Sequence, residues 1–227
     1  MQGGGDVVEG PRDFLRGYRA LNPDGTVNAV IEIPAGTSAK WEVDKSDGAL
    51  RWERRGDGYR MVQYLPYPAN YGMIPQTLLP SRQGGDGDPL DVVVLSPALN
   101  RGTVVPVRLI GVLRLLDQGE RDDKLLAVVP GTPMGEVEDL SGLMRDYPGA
   151  AQVVETWFSN YKGPGQTVSE GVAGVEEATA VLQRAMADYR SANPAQGPPG
   201  NSPQPQQKPP DDSGGEASQG QDRGPQQ

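Results

Sequence analysis

Three aspartates, Asp86, Asp88 and Asp91, stand close together in "GGDGDPLDVVVLSP" (84–97), a glycine-bracketed turn that runs straight into an apolar strand. Two carboxylates about 4 Å apart repel by roughly 4 kcal/mol at an effective dielectric near 20, so a fold that crowds them needs water, protons or a cation in compensation. Downstream, "LLDQGERDDKLLAV" ends a strand at Asp117, turns through Gly119 and enters the next strand with Asp122, Asp123 and Lys124. Alone, that is an ordinary charged hairpin. Paired with the first turn, it offers carboxylate oxygens to a hard divalent cation, and Mg²⁺ in particular is held by a few carboxylates while keeping waters and substrate phosphates as its other ligands. An EF-hand fails on position. A calcium loop opening at Asp86 would have Asp91 where its glycine belongs and Pro97 where its bidentate glutamate belongs.

Other charged and hydroxyl-bearing residues sit where a strand or helix could aim them at the same place. In "VIEIPAGTSAKWEVDK" the two-residue period of a strand puts Lys40 and Glu42 on one face and Trp41 and Val43 on the other. Glu32, between Ile31 and Ile33, is expected to point away from their shared face. For any one of these, the plain reading is the solvated outer face of an antiparallel sheet; their number argues otherwise. "YLPYPANYGMIPQTLLP" (64–80) carries Tyr64, Tyr67 and Tyr71 among prolines and reads as a rigid, aromatic-packed loop. A tyrosine hydroxyl beside carboxylates and lysines can also orient a phosphate oxygen, and "NYK" (160–162) repeats the pairing of tyrosine and cation.

Composition narrows the chemistry. The 227-residue chain suits one domain with extensions, and its net charge of −9 argues against a large nucleic-acid or anionic-membrane face. With no cysteine and no histidine, disulfides, thiolate nucleophiles and zinc held by either residue are excluded, leaving oxygen-ligated Mg²⁺, Mn²⁺ or Ca²⁺. No apolar run has bilayer length and the N-terminus lacks a signal-peptide core, so a soluble protein is expected.

Residues 1–25 form an extension expected to be partly ordered, with one or two amphipathic turns in "RDFLRGYRAL". Residues 191–227 are almost wholly Pro, Gln, Gly, Ser and charge, a composition expected to be disordered. The fold lies in 26–190. Strands are expected in "NAVIEIPA", "AKWEVDK", "GALRWERR", "LDVVVLSP", "VVPVRLIGVLRLLD" and "KLLAVVP". Helical spacing follows in "EVEDLSGLM", "GAAQVVETWFSNYK" and "GVEEATAVLQRAMADYR", the second with Val154, Trp157, Phe158 and Tyr161 on one face. Strands followed by helices give an α+β class, a small barrel or curled sheet covered by helices.

Taken in order, "IEIPAG", "K.E.DK", "G.L..ER", "YPANYG.IP.TL", "GDGDPLDV", "LLD.GE.DDKL" and "YK" make the chain resemble the soluble family I inorganic pyrophosphatases over residues 28–190. The resemblance implies a five-stranded OB-like β-barrel flanked by helices, a cytoplasmic enzyme or an exported form with its signal removed, and a homo-oligomer, commonly a hexamer in bacterial members. It implies hydrolysis of pyrophosphate to two phosphates by a metal-activated water without a covalent intermediate, with several Mg²⁺ per site and Mn²⁺ or other divalent ions as alternatives.

Carried over by residue, Asp86, Asp91, Asp117 and Asp122 match metal-binding positions and Asp88 the general base. Glu32 and Glu42 match the outer metal and water shell. Lys40, Arg54, Lys124, Tyr161 and Lys162 match phosphate-binding groups, and Tyr67 and Tyr71 the site's tyrosines; Arg54 is preferred to Arg55 on its spacing from "DGAL". The chain departs from the pattern at Gln118, in "GPGQTVSEGV" after Lys162, and in extra residues between Arg54 and Tyr67, "RGDGYRMVQYLP", which include Arg60 and are expected to extend a loop near the site entrance.

The rivals are a non-catalytic module that sequesters Ca²⁺ or Mg²⁺ and a phosphohydrolase of nucleotides or polyphosphate. A pure cation trap has no use for the lysines, and the second lacks a "GxxxxGK[ST]" loop.

Overall fold

Short runs such as "VNAVIEI", "DVVVL" and "KLLAV" are apolar at nearly every position, which suits strands buried on both faces of a sheet. They form the centre of this fold. The structure, a computed structural model, describes residues 5–80, 85 and 87–194. Its strands are β1 (Val7–Val8), β2 (Val27–Ile33), β3 (Trp41–Val43), β4 (Leu50–Trp52), β5 (Arg54–Arg55), β6 (Gly58–Tyr59), β7 (Asn70–Met73), β8 (Asp91–Leu95), β9 (Val104–Asp117), β10 (Glu120–Arg121) and β11 (Lys124–Val128). Helices α1 (Leu140–Asp146) and α2 (Ala150–Asn160), strand β12 (Thr167–Ala173) and helix α3 (Val175–Ala192) follow. The mixed α and β class expected from the sequence holds.

The main sheet runs β2, β7, β8, β11, β9, with β10 and β12 also on β9. Strand β9 is long enough to do two things. Its start, Val104 to Val107, pairs with β2, and its later part pairs with β11 and β12. A smaller sheet orders β1, β4, β3, and β5 with β6 forms a hairpin.

Alternation along the strands separates two cores. Val93, Leu95, Leu126 and Val128 pack with Trp157 and Phe158 of α2, while Val92, Val94, Leu125 and Ala127 pack with Ala178 and Leu182 of α3. Burying side chains of this size is worth roughly 1.5–3 kcal/mol each. Helix α1 opens on Asp139, whose carboxylate accepts from Gly142 N at 2.7 Å. Glu176 and Glu177 at the start of α3 and Arg190 at its end complement the helix dipole.

The structure corrects several local expectations. The 64–80 stretch is not all loop: Asn70–Met73 is strand β7, every residue of it buried. Gly72 is the reason it fits, since a Cβ there would lie 1.8 Å from the Val30 carbonyl oxygen. The segment after Lys162 also contains a strand, β12. The "RDFLRGYRAL" segment forms turns, as expected, and they bury Phe14, Leu15, Tyr18 and Ala20. Ile31 and Ile33 do not share a face, because a register shift between them sends Ile31 to one core and Ile33 to the other. Residues 195–227, which include nearly all of the expected tail, lie outside the described residues.

Candidate active site

A cavity of about 630 Å³ opens where β3, β7, β8, β11 and the end of α2 meet. Register brings its central charges together. Strands β8 and β11 run parallel with Asp91 directly beside Lys124, and Asp91 also faces Met73 across the β7 pairing. Asp91 and Lys124 therefore share the face of Val93 and Leu126 and stand where that face ends. Lys124, only 3% exposed, places Nζ against both Asp91 and Asp122. Burial works against its charge, and the two carboxylates outweigh burial, so its pKa rises above the lysine value. Asp122 is itself pushed up by burial, which Lys124 only partly offsets.

The turn before β8 is pinned by its backbone. Leu79 N donates to Asp88 O at 2.8 Å, and Gly87 N donates to Leu79 O at 2.7 Å with Gly87 at φ +80°. The half-exposed Asp88 carboxylate pairs with Lys45. On the opposite wall, Lys40 Nζ lies 2.7 Å from Glu42 Oε1. Burial opposes the Lys40 charge, and the acidic groups around it, Glu42 and Glu32 among them, outweigh that and raise its pKa. Glu32, 4% exposed, accepts from Val43 N at 2.8 Å, and burial lifts its carboxyl to about 8 despite Lys40 nearby. The solvated outer face expected for a lone strand glutamate does not describe it.

Aromatic packing fixes the third wall. Tyr161 caps α2 and stacks on Trp157 at 4.6 Å, and Trp157 Nε1 donates to Leu65 O at 2.9 Å. Tyr71 packs against Tyr67 at 5.3 Å and Phe158 at 5.8 Å. Lys162 follows the helix and pairs with Asp117, the last residue of β9. Burial opposes the Lys162 charge, and Tyr161 and Asp117 overcome it.

Of the residues singled out by sequence, Glu32, Lys40, Glu42, Tyr71 and Asp88 line the cavity, as do Asp91, Asp122, Lys124, Tyr161 and Lys162. Three do not, and Asp86 lies outside the described residues. Tyr67 is 2% exposed and supports Tyr71 from behind. Asp117 sits behind Lys162, and its Oδ1 is buried with no hydrogen-bond partner. Arg54 lies on the outer hairpin, 57% exposed, with its guanidinium 4.8 Å over Tyr59. In its stead Lys45, Arg51 and Arg60 reach the cavity; Lys45 stands in the "K.E.DK" motif, but the resemblance assigns none of the three a role.

Seven carboxylates and six cationic side chains thus line the cavity among the described residues. Such a balance receives an anion only in company with cations. Its donors toward a metal are all oxygen, which suits hard divalent ions, and the unpartnered Asp117 Oδ1 is a buried acceptor of the kind a cation satisfies. Among the described residues no three carboxylates are drawn together closely enough to hold a metal by themselves. Lysines lie between them instead.

A family model described as inorganic pyrophosphatase matches residues 29–190. The inorganic pyrophosphatase of Ralstonia nicotianae is 39% identical over 173 residues, spanning 72% of this chain and 90% of that protein. That of Campylobacter jejuni is 37% identical over 169 residues, spanning 72% and 92%. Among solved structures, an inorganic pyrophosphatase from Helicobacter pylori gives a TM-score of 0.62 at 33% identity, covering 73% of this chain and 94% of that one.

Proposed function

Because the chain belongs to the inorganic pyrophosphatase family and its activity is hydrolysis of pyrophosphate, we propose that the cavity between Asp88, Asp91, Lys40 and Lys124 is where it performs that reaction. The observation that carries this reading is the gathering of the ten sequence-selected residues on one cavity wall system, acids alternating with lysines. Pyrophosphate hydrolysis passes through a loose, charge-spread transition state, so a protein contributes chiefly positioning and electrostatics.

Asp91, Asp117 and Asp122 would hold divalent ions, Mg²⁺ being the proposed species, with Asp86 joining them on the evidence of its motif and Glu32 and Glu42 in the outer shell. Bound there, such ions supply a lowered water pKa and cancel substrate charge. Asp88 stands at the open edge of the acidic group and takes the proton from the attacking water. Lys40, Lys124 and Lys162 meet the phosphate oxygens as point charges, and Tyr71 and Tyr161 orient them through their hydroxyls. Water attacks phosphorus directly, without a covalent intermediate, as the family resemblance implies.

We further propose a five-stranded OB-like barrel for β2, β7, β8, β11 and β9, supported by the return of β9 onto β2. A homo-oligomer is also proposed, hexameric by the family resemblance; exposed Leu65, Met144 and Val153 are apolar surface available to it. No helix among the described residues is long and apolar enough to cross a membrane.

Phosphate release from pyrophosphate, measured with Mg²⁺, with EDTA and with ATP as a parallel substrate, tests the reading. Fast release confined to pyrophosphate with Mg²⁺ is expected. Release unaffected by EDTA, or faster from ATP, would overturn it.

A further inference from the structure

We infer that Arg60 is the guanidinium that meets pyrophosphate, and that Arg54 instead closes an aromatic stack holding the Arg60 hairpin in place. The inference rests on the reading of the cavity as the pyrophosphate site. Arg54 and Tyr59 are directly paired across β5 and β6, so their side chains share one face of the hairpin. Arg60 follows Tyr59, and the alternation of an extended chain sends its side chain to the other face, toward the cavity it lines.

What lies on the first face is a continuous stack. The Arg101 guanidinium sits 4.3 Å over Trp41, Trp41 stacks on Trp52 at 5.7 Å, Trp52 on Tyr59 at 4.5 Å, and Arg54 covers Tyr59 at 4.8 Å. The two ring pairs are within 20° of parallel. Asp6 ties the outer end: it accepts from the Tyr59 hydroxyl at 2.9 Å, and its carbonyl accepts from Trp52 N at 2.9 Å. Both ends of the stack are arginines held by ring faces, so Arg54 already has a partner for its charge.

Arg60 is held differently. Its backbone is fixed on three sides, N donating to Glu53 O at 2.8 Å and O accepting from Lys40 N and Trp52 Nε1, both at 3.0 Å. Its Nη1 reaches both oxygens of Glu53, at 2.7 and 2.8 Å. Nε and Nη2 have no protein acceptor among the described residues. A guanidinium oriented by a carboxylate on one side, with donors left over and a side chain 28% exposed to a cavity, is ready for a phosphate.

The test compares Arg60→Gln, Arg60→Lys and Arg54→Gln in the full chain. It reads kcat and KM with pyrophosphate, binding of imidodiphosphate with Mg²⁺ by calorimetry, and melting temperature. Arg60→Gln should weaken imidodiphosphate roughly tenfold or more and raise KM, with Arg60→Lys intermediate because a point charge replaces a fork. Arg54→Gln should lower the melting temperature and leave kcat/KM within about twofold, a small effect on the scale of a lost charged contact. Normal binding by folded Arg60→Gln, or a tenfold loss in Arg54→Gln, overturns the assignment. An unmodified chain that neither hydrolyses pyrophosphate nor binds imidodiphosphate would overturn the site reading itself, and this inference with it.

Discussion

Replacing Lys124 by Met tests the charge arrangement at its centre, because the length of the side chain survives and only the ammonium goes. In the folded chain Lys124 is 3% exposed and sits against Asp91 and Asp122, whose side chains are 22% and 16% exposed. Removing one member of a buried ion pair typically costs about 3–5 kcal/mol, since the partner is left charged and poorly solvated. Partial exposure of both carboxylates puts this case near the lower end, about 3 kcal/mol. For a domain of this size, 1 kcal/mol moves the melting temperature by roughly 2–4 °C, so a fall of roughly 6–12 °C is expected in EDTA. Mg²⁺ should then narrow the gap. The vacated carboxylates attract a cation more strongly than before, and a ligand at a hundred times its Kd adds about 2.7 kcal/mol. The assay is calorimetric melting of both proteins in EDTA and across a Mg²⁺ series. A deficit of equal size with and without Mg²⁺ would refute the view that lysine and metal serve the same carboxylates, and an unchanged melting point in EDTA would refute the cost assigned to the pair. Turnover should fall in either medium, because the same lysine is assigned to phosphate.

Asp88→Asn should lower turnover by orders of magnitude while calorimetric Mg²⁺ binding stays largely intact; near-normal turnover would remove Asp88 as the proton acceptor. Ca²⁺ should support hydrolysis poorly, because its longer and looser coordination misplaces the water, and brisk Ca²⁺-dependent release would count against the mechanism. Burial lifts Glu32 to about 8 against an ordinary 4.5, so the folded chain holds a proton that the unfolded chain gives up between those values. Stability from this group is fully present below pH 4.5 and declines as the pH rises through 8. Melting of the metal-free protein from pH 5 to 8 should therefore fall less steeply in Glu32→Gln, and parallel curves would show that Glu32 is not held protonated.

Much of this was legible because two signals coincided. "DVVVL" and "KLLAV" are apolar after a charged first residue, so the same stretches announced a buried strand and the residue at its mouth, Asp91 or Lys124. Helix α2 showed itself through Val154, Trp157 and Phe158, all buried as their spacing requires. Strand β7 escaped because "NYGM" lies within a proline-rich stretch whose local chemistry says loop, while the pairing with β2 and β8 is made by residues far away in sequence. Strand β12 escaped for a related reason: "TVSEGVA" contains Gly171 at φ +86° and a register shift, which break the alternation a strand would show. Motif spacing chose Arg54, but spacing counts residues and cannot see that the hairpin turns Arg54 onto Tyr59 and Arg60 inward.

The dependence of the site on register explains why motif and fold arrive together in this chain. Met73, Asp91, Lys124, Leu113 and Val172 lie in one row across β7, β8, β11, β9 and β12. Sliding β8 by one residue would turn Asp91 away from the cavity and bring Val92 in its place, since successive side chains face opposite ways. The apolar residues forbid that slip. Val93 and Leu95 would leave the α2 core for the α3 core, and Val92 and Val94 the reverse, each exchange disturbing side chains that are now almost fully buried. The charged pair gains its position from those valines and leucines rather than from its own attraction, which partial exposure and competing burial keep modest. A cavity built this way holds its carboxylates and lysines side by side without relying on their mutual attraction, and that is the condition for positioning a substrate whose charge must be met at several points at once.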